Sequence, residues 1–241
     1  MSNPQYSALA QIYAYLMRKI DYKDWADYLL AIFGHFGSKD DKVLELGGGN
    51  GAIASHLRKY FPSLYLTDLS RQMLSQATDP RLTKVCLDMR YIPFKTQFDL
   101  IYSTFDSVNY MLTKKDLKKM FDSVASVSHE ETLFTFDASL ERNSIKYEKL
   151  LNRKGRVKGI SFIQTSSYDR IKRIHRNDFE ITIPGGEKIY ESHIQKIYKF
   201  ETLFEIIEKS GFYVAECFDA FSFDKVTEKS LRAQFVLKKK R

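Results

Sequence analysis

Glu45 stands two residues before Gly47, and Gly47, Gly49 and Gly51 fall at alternate positions. Glycines spaced this way let the backbone turn tightly and let a ligand lie against it with no Cβ in the way. The run Val43-Leu44-Glu45-Leu46 reads as a short buried strand, so Glu45 offers a carboxylate to a cationic or hydroxyl-bearing ligand. Asp68 closes the next apolar strand, Leu64-Tyr65-Leu66-Thr67, where an acid suits hydrogen bonding to a ribose. Together these residues point to a nucleoside-containing cofactor, with a purely structural turn as the plain alternative. The G-x-G-x-x-G spacing of NAD folds is not kept, since Ala52-Ile53-Ala54 follow Gly51, and the Gly-Lys-Ser/Thr of a phosphate loop is absent.

Asp106, Tyr110, His175 and His193 are candidates to take a proton from an amine or hydroxyl. Asp106 and Asn109 follow a fourth apolar strand, at the carboxyl edge where α/β sheets place their sites. His193 stands in Glu191-x-His193, just before the last large helical pattern. His175 sits in a basic segment, where simple exposure is the plain expectation. Cys86 and Cys217 lie in apolar strand-like runs and read as buried free thiols of a reducing compartment. No spacing suits zinc, and no metal site is expected.

Elements must bring these groups together. Residues 6–36 carry apolar side chains near the 3.6 period, which predicts helix punctuated by Gly34 and Gly37. Strands predicted at 42–46, 63–67, 82–87, 98–103 and 132–138 alternate with helices near 51–60, 70–77 and 113–127. Such alternation implies a parallel sheet covered by helices. The stretch 155–195 carries alternating segments and a Pro184-Gly185-Gly186 turn, which reads as an inserted antiparallel sheet. A helix at 199–210 closed by Gly211, then strands at 212–218 and 231–237, complete the chain. The expected division is a helical cap (1–37), a core (38–139 and 196–241) and an antiparallel β insertion serving as substrate lid (140–195).

A hydrophobic content of 44% and only five prolines favour a folded core over disorder. Residues 1–6 show no basic segment leading into an apolar run, and no apolar stretch approaches the ~20 residues of a membrane helix. A cytoplasmic location without membrane partners is therefore expected. The net charge of +8 is uneven: from Arg142 to Arg176, eleven Lys/Arg face only Glu148 and Asp169. That segment is either a solvated face or a basic wall toward an anionic substrate. The terminal Lys238-Lys239-Lys240-Arg241 is expected to be a frayed end.

The run Glu45 to Gly51 resembles motif I of the class I S-adenosylmethionine-dependent methyltransferases. Asp68-Leu69-Ser70-Arg71-Gln72-Met73-Leu74, Leu87-Asp88-Met89-Arg90 and Phe98-Asp99-Leu100-Ile101-Tyr102 are similar to the family's next motifs in order. Asp106-Ser107-Val108-Asn109-Tyr110-Met111 resembles a segment of a bacterial subgroup comprising YqeM-like proteins and, more distantly, sugar-amine N-methyltransferases and glycine N-methyltransferase. The aromatic N-terminal pattern agrees, although the subgroup's Tyr-Asp pair appears here as Tyr13-Ala14. The resemblance implies a Rossmann-like, seven-stranded, mostly parallel sheet with an N-terminal helical lid and an antiparallel β insertion. It also implies S-adenosylmethionine as cofactor. On that basis Gly47, Gly49 and Glu45 meet its methionine part, Asp68 its ribose and Asp88 its adenine amine. Leu69 and Met89 would sandwich the ring, Met73 would line the same pocket, and Tyr13 and Arg18 would close over the carboxylate.

Methyl transfer asks the protein mainly to align the nucleophile and exclude water. The expected acceptor is a small anionic molecule with an N or O nucleophile, such as a nucleotide-linked sugar, with Asp106, Tyr110 and His193 as catalytic candidates. An RNA methyltransferase is the alternative supported by charge, although no Asn-Pro-Pro-Tyr-type motif is present. A non-catalytic cofactor-binding regulator is the third reading.

Overall fold

The computed structural model describes Tyr6, residues 8–34 and residues 40–241. Residues 1–5, Phe36 and Gly37, which the sequence reading touches, lie outside the described residues. Two helices come first, α1 (Ala10–Leu16) and α2 (Tyr22–Phe33). Asp21 separates them, its side chain accepting from the Lys23 and Asp24 N–H groups at the start of α2. Then β1 (Lys42–Leu46), α3 (Ala52–Leu57), β2 (Ser63–Asp68), α4 (Arg71–Ser75), β3 (Thr83–Cys86) and β4 (Phe98–Ser103) alternate. A 3-10 turn at Ser107–Tyr110, α5 (Lys114–Ser126) and β5 (Ser128–Ser139) lead to α6 (Glu141–Leu150). Four strands follow: β6 (Arg153–Val157), β7 (Ile160–Asp169), β8 (Ile174–Thr182) and β9 (Lys188–Lys196). The chain closes with α7 (Phe200–Glu208), β10 (Phe212–Asp219) and β11 (Arg232–Lys239).

The main sheet has seven strands in the order β10-β11-β5-β4-β1-β2-β3. Only β11 runs antiparallel to its neighbours, β10 and β5, so the expected Rossmann-like, mostly parallel sheet is present. Strand β1 is a continuous buried run, as a parallel strand covered on both faces requires. One face packs Phe134 and Phe136 against Phe121 of α5 and Ile207 of α7. The other packs Leu66 and Leu100 against Leu29 of α2 and Leu57 of α3.

The second sheet, β6-β7-β8-β9, is antiparallel throughout. Along β7 every second residue is buried, the sign of a sheet with one face turned inward. Ile160, Phe162, Phe179 and Ile181 of that face pack against Leu9, Ile12 and Leu16. Burying each such side chain contributes about 1.5–3 kcal/mol, so the first helix and the inserted sheet form one cover.

Four features differ from the sequence reading. Helix α6 opens the inserted segment and was not anticipated, because Ser144 is its only buried residue and no apolar stripe marks it. Helix α3 stops at Leu57 rather than near 60. Cys86 is exposed, since β3 is an edge strand, and Cys217 is half-buried, with burial pushing its thiol up to about 12. The C-terminal lysines are not frayed through this stretch: Lys238 and Lys239 belong to β11, and the Lys239 amine donates to Ala125 O at 3.1 Å, where carbonyls end α5. Among the described residues no helix is long and apolar enough to cross a membrane.

Candidate cofactor and acceptor site

The turns after β1, β2, β3 and β4 meet where the strand order reverses, the crevice in which open α/β sheets hold ligands. They line a cavity of about 1020 Å³. Drug-sized ligands occupy roughly 300–1,000 Å³, so a nucleoside cofactor and a second molecule have room together.

Gly47, Gly49 and Gly51 have φ of +66°, +59° and +67°. A Cβ on Gly47 would stand 2.8 Å from the Ser107 side chain. Ser107 Oγ lies 2.8 Å from Thr104 O and 3.1 Å from Gly47 O, tying the turn after β4 to the glycine turn. In the sequence Ser107 stands out only as part of the motif over residues 106–111. Asp68 sits at the mouth of the turn. Its carboxylate accepts from Gly49 N and from Ser70 N, both at 2.8 Å, and burial raises its pKa against the pull of those bonds.

Glu45 is buried, and its Oε2 has no hydrogen-bond partner among the described residues. Burial raises its pKa to about 8; the Tyr102 hydroxyl alongside, short of hydrogen-bond geometry, offsets part of this, and Asp68 adds to it. A buried acid left without a partner at a ligand-lined turn fits a cationic or N–H-bearing group in the cavity. The open glycine turn and this acid are what the methionine part of S-adenosylmethionine would require.

Farther along the cavity, Leu69 is 46% exposed, and Met89 and Met73 also line the wall. Met73 is buried, with its Cε beside Gly49. Asp88 is held by Arg90, Nη2 to Oδ2 at 2.6 Å, and Arg90 reaches Asp116 at 3.0 Å through Nη1. Its acceptor capacity toward an adenine amine is therefore shared with a guanidinium that the sequence reading left without a role.

At the opposite end, the Tyr6 hydroxyl lies 2.8 Å from the Tyr110 hydroxyl, which lies 3.4 Å from His193 Nδ1. The Tyr6 ring is centred 4.3 Å from the His193 ring and 6.0 Å from the Tyr13 ring. Burial raises the pKa of Tyr6, Tyr13 and Tyr110, so these phenols remain protonated and act as hydrogen-bond donors. That leaves Tyr110 poorly suited to remove a proton. His193 is buried, with Nε2 3.5 Å from Glu191 Oε2, while Glu191 Oε1 accepts from Ala8 N and Leu9 N. The Glu-x-His pair thus joins the start of α1 to the cavity wall.

Asp106 is engaged differently. It and Phe105 both adopt positive φ, and its carboxylate is ion-paired with Arg232, which also holds Asp137. Nothing in the sequence links Arg232 to this turn. Asn109 joins the ends of β5 and β9 through Ser139 N, Ser139 O and Lys196 O. His175 is buried rather than exposed, with Nε2 2.9 Å from Ser166 Oγ, and burial lowers its pKa.

Of the two readings of the basic segment, the solvated face describes most of its cations. Of its eleven cations only Arg153 lines the cavity. Arg170, Lys172, Arg173 and Arg176 pair with Glu148, Asp169, Glu141 and Asp178. Arg18 also lines the cavity, its guanidinium 3.9 Å from the centre of the Tyr15 ring.

Residues 43–131, from β1 into β5, match the methyltransferase domain family. YqeM of Bacillus subtilis, described as a predicted methyltransferase, is 28% identical over 221 residues, 86% of each chain. The chain is a class I S-adenosylmethionine-dependent methyltransferase. The methyltransferase shares its fold with an S-adenosylmethionine-dependent methyltransferase from Clostridium acetobutylicum: TM-score 0.79, 24% identity, covering 98% of this chain and 99% of that one. It also shares it with the sugar N-methyltransferase KedS8 from a Streptoalloteichus species: TM-score 0.74, 16% identity, covering 94% and 91%.

Proposed function

We propose that this enzyme methylates an N or O nucleophile on a small, anionic acceptor within this cavity. The observation that carries the reading is the Tyr6–Tyr110–His193 cluster, set beside Tyr13 of the first helix and lining the same cavity as the glycine turn. S-adenosylmethionine, when bound, supplies an electrophilic methyl group on a sulfonium. In this reading Gly47, Gly49 and Glu45 hold its methionine part, Asp68 its ribose, and Leu69, Met73, Asp88 and Met89 its adenine. Tyr13 and Arg18 close over its carboxylate.

His193 is the best-placed proton acceptor. A proton on Nε2 toward Glu191 leaves the Nδ1 lone pair facing the Tyr110 hydroxyl and the cavity. Tyr6 and Tyr110, held protonated, orient the acceptor's lone pair by donating to its polar atoms. Asp106, paired with Arg232, shapes the turn and takes no proton. The inserted sheet and the N-terminal helices act as the lid that excludes water. The small acceptor is favoured over RNA because ten of the eleven basic residues of the 142–176 segment do not line the cavity.

The test is methyl transfer from labelled S-adenosylmethionine to a panel of amino sugars, nucleotide-linked sugars, acidic metabolites and transfer RNA. Turnover of a small acidic acceptor is expected, falling about 10²–10⁴-fold in His193→Ala with S-adenosylhomocysteine affinity retained. Methylation of transfer RNA alone would overturn the reading.

A further inference from the structure

Arg153 is half-buried on the cavity wall, and three other half-buried arginines of the chain show the usual way such a charge is matched. Arg90, Arg173 and Arg232 each meet one or two carboxylates. Arg153 meets none among the described residues. Its Nε donates to Gln164 Oε1 at 2.7 Å, and Nη1 lies 3.5 Å from Leu16 O, both neutral acceptors. The Gln164 amide in turn donates to Asn177 Oδ1 at 3.0 Å, so the guanidinium is fixed from behind by a polar chain. Arg18 is close enough to act on it: burial first, then the charge of Arg18, lowers the Arg153 pKa. Two guanidiniums that repel each other, line a cavity and lack an acid form a site for anions. The proposed cofactor has one carboxylate, which Arg18 takes in the reading above, and Arg153 is left over.

The sheet register places this remaining cation relative to the chemistry. Arg153 begins β6 opposite Gln164 of β7, while His193 of β9 stands opposite Asn177 of β8, and Asn177 opposite Ser166 of β7, two residues along from Gln164. The Arg153–Gln164–Asn177 chain of side chains therefore runs across the sheet from β6 toward the strand beside His193. We infer that Arg153, backed by Gln164, is the subsite for a phosphate or carboxylate that the acceptor carries away from its methylated atom, on the β6 side of the cavity. A phosphate or diphosphate on a sugar, or a terminal carboxylate of an elongated molecule, matches that placement. This rests on the acceptor-binding reading above.

The probe is inorganic pyrophosphate, titrated at constant ionic strength into the full-length protein saturated with S-adenosylhomocysteine. The unsubstituted protein should bind it saturably, Arg153→Gln should weaken binding tenfold or more, and Lys154→Gln, altering an exposed neighbour, should leave it unchanged. Melting temperatures of both variants identify any loss of folding, and Arg153→Lys should restore part of the affinity if the charge is what matters. The inference is overturned if the unsubstituted protein shows no saturable binding, if Lys154→Gln weakens it equally, or if Arg153→Gln instead costs tenfold in S-adenosylhomocysteine affinity. The last result would assign the guanidinium to the cofactor. Failure of the cofactor-site reading itself is separable, because S-adenosylhomocysteine would then not bind the unsubstituted protein.

Discussion

One guanidinium nitrogen of Arg232 meets both Asp106 and Asp137, joining the strained turn after β4 to the last strand across 126 residues of sequence. Asp137 is fully buried, and the Arg232 and Asp106 side chains are 18% and 17% exposed. Removing one partner of such a network leaves an uncompensated buried charge, which costs about 3–5 kcal/mol. Arg232→Met is expected to lower unfolding stability by about that amount in urea titrations, while adding Asp137→Asn recovers a large part of it. A cost below about 1 kcal/mol for the single variant would show that the network does not hold the turn.

Asp68 fixes the glycine turn as well as facing the cavity, since Gly49 N and Ser70 N both donate to it. Asp68→Ala removes two charge-assisted acceptors, each worth about 1.5–3 kcal/mol. S-adenosylhomocysteine affinity measured by calorimetry should fall by about 10–100-fold, and less in Asp68→Asn, which keeps one acceptor oxygen. Unchanged affinity in both variants would remove Asp68 from the cofactor site.

The motifs that chain neighbours build are legible in the sequence. Gly47 to Gly51, Asp68 and Asp88 follow directly after strands, so strand and turn patterns place them at one sheet edge. Pairings between distant segments were not legible. Arg232 reaches Asp106, Glu191 reaches Ala8 and Leu9, and Tyr6 reaches Tyr110 only because β11, β9 and the N-terminal segment converge there. Charge counting left two readings of the basic segment open for a related reason. The segment 142–176 alternates between two faces of a sheet and draws acids from outside itself, such as Glu141 and Asp178.

Gly47 is constrained twice, by its φ of +66° and by the Ser107 side chain where its Cβ would go. Positive φ alone costs a non-glycine residue roughly 1–2 kcal/mol. Gly47→Ala should therefore destabilise by more than that and weaken S-adenosylhomocysteine binding. In Gly47→Ala with Ser107→Gly, relief of the overlap should recover part of the loss, while the φ cost and the two bonds made by Ser107 Oγ stay lost. Thermal melts with and without the nucleoside separate the two contributions; no gain from the second substitution would mean that the turn has moved elsewhere.

Glu45 gives the ligand-free enzyme a specific pH dependence. Its pKa is raised from 4.5 to about 8, chiefly by burial. Between those values the folded state holds a proton that the unfolded state has released, so stability falls as pH rises through this window. The slope approaches about 1.4 kcal/mol per pH unit at most, and the loss is complete above the folded-state value. Glu45→Gln keeps the shape of the neutral acid and removes the titration. Its stability relative to the unsubstituted enzyme should therefore increase from pH 5.5 to pH 8.5, read as a growing difference in urea midpoints. Parallel curves for the two proteins across that range would mean that Glu45 is already ionised in the folded state and has found a partner there.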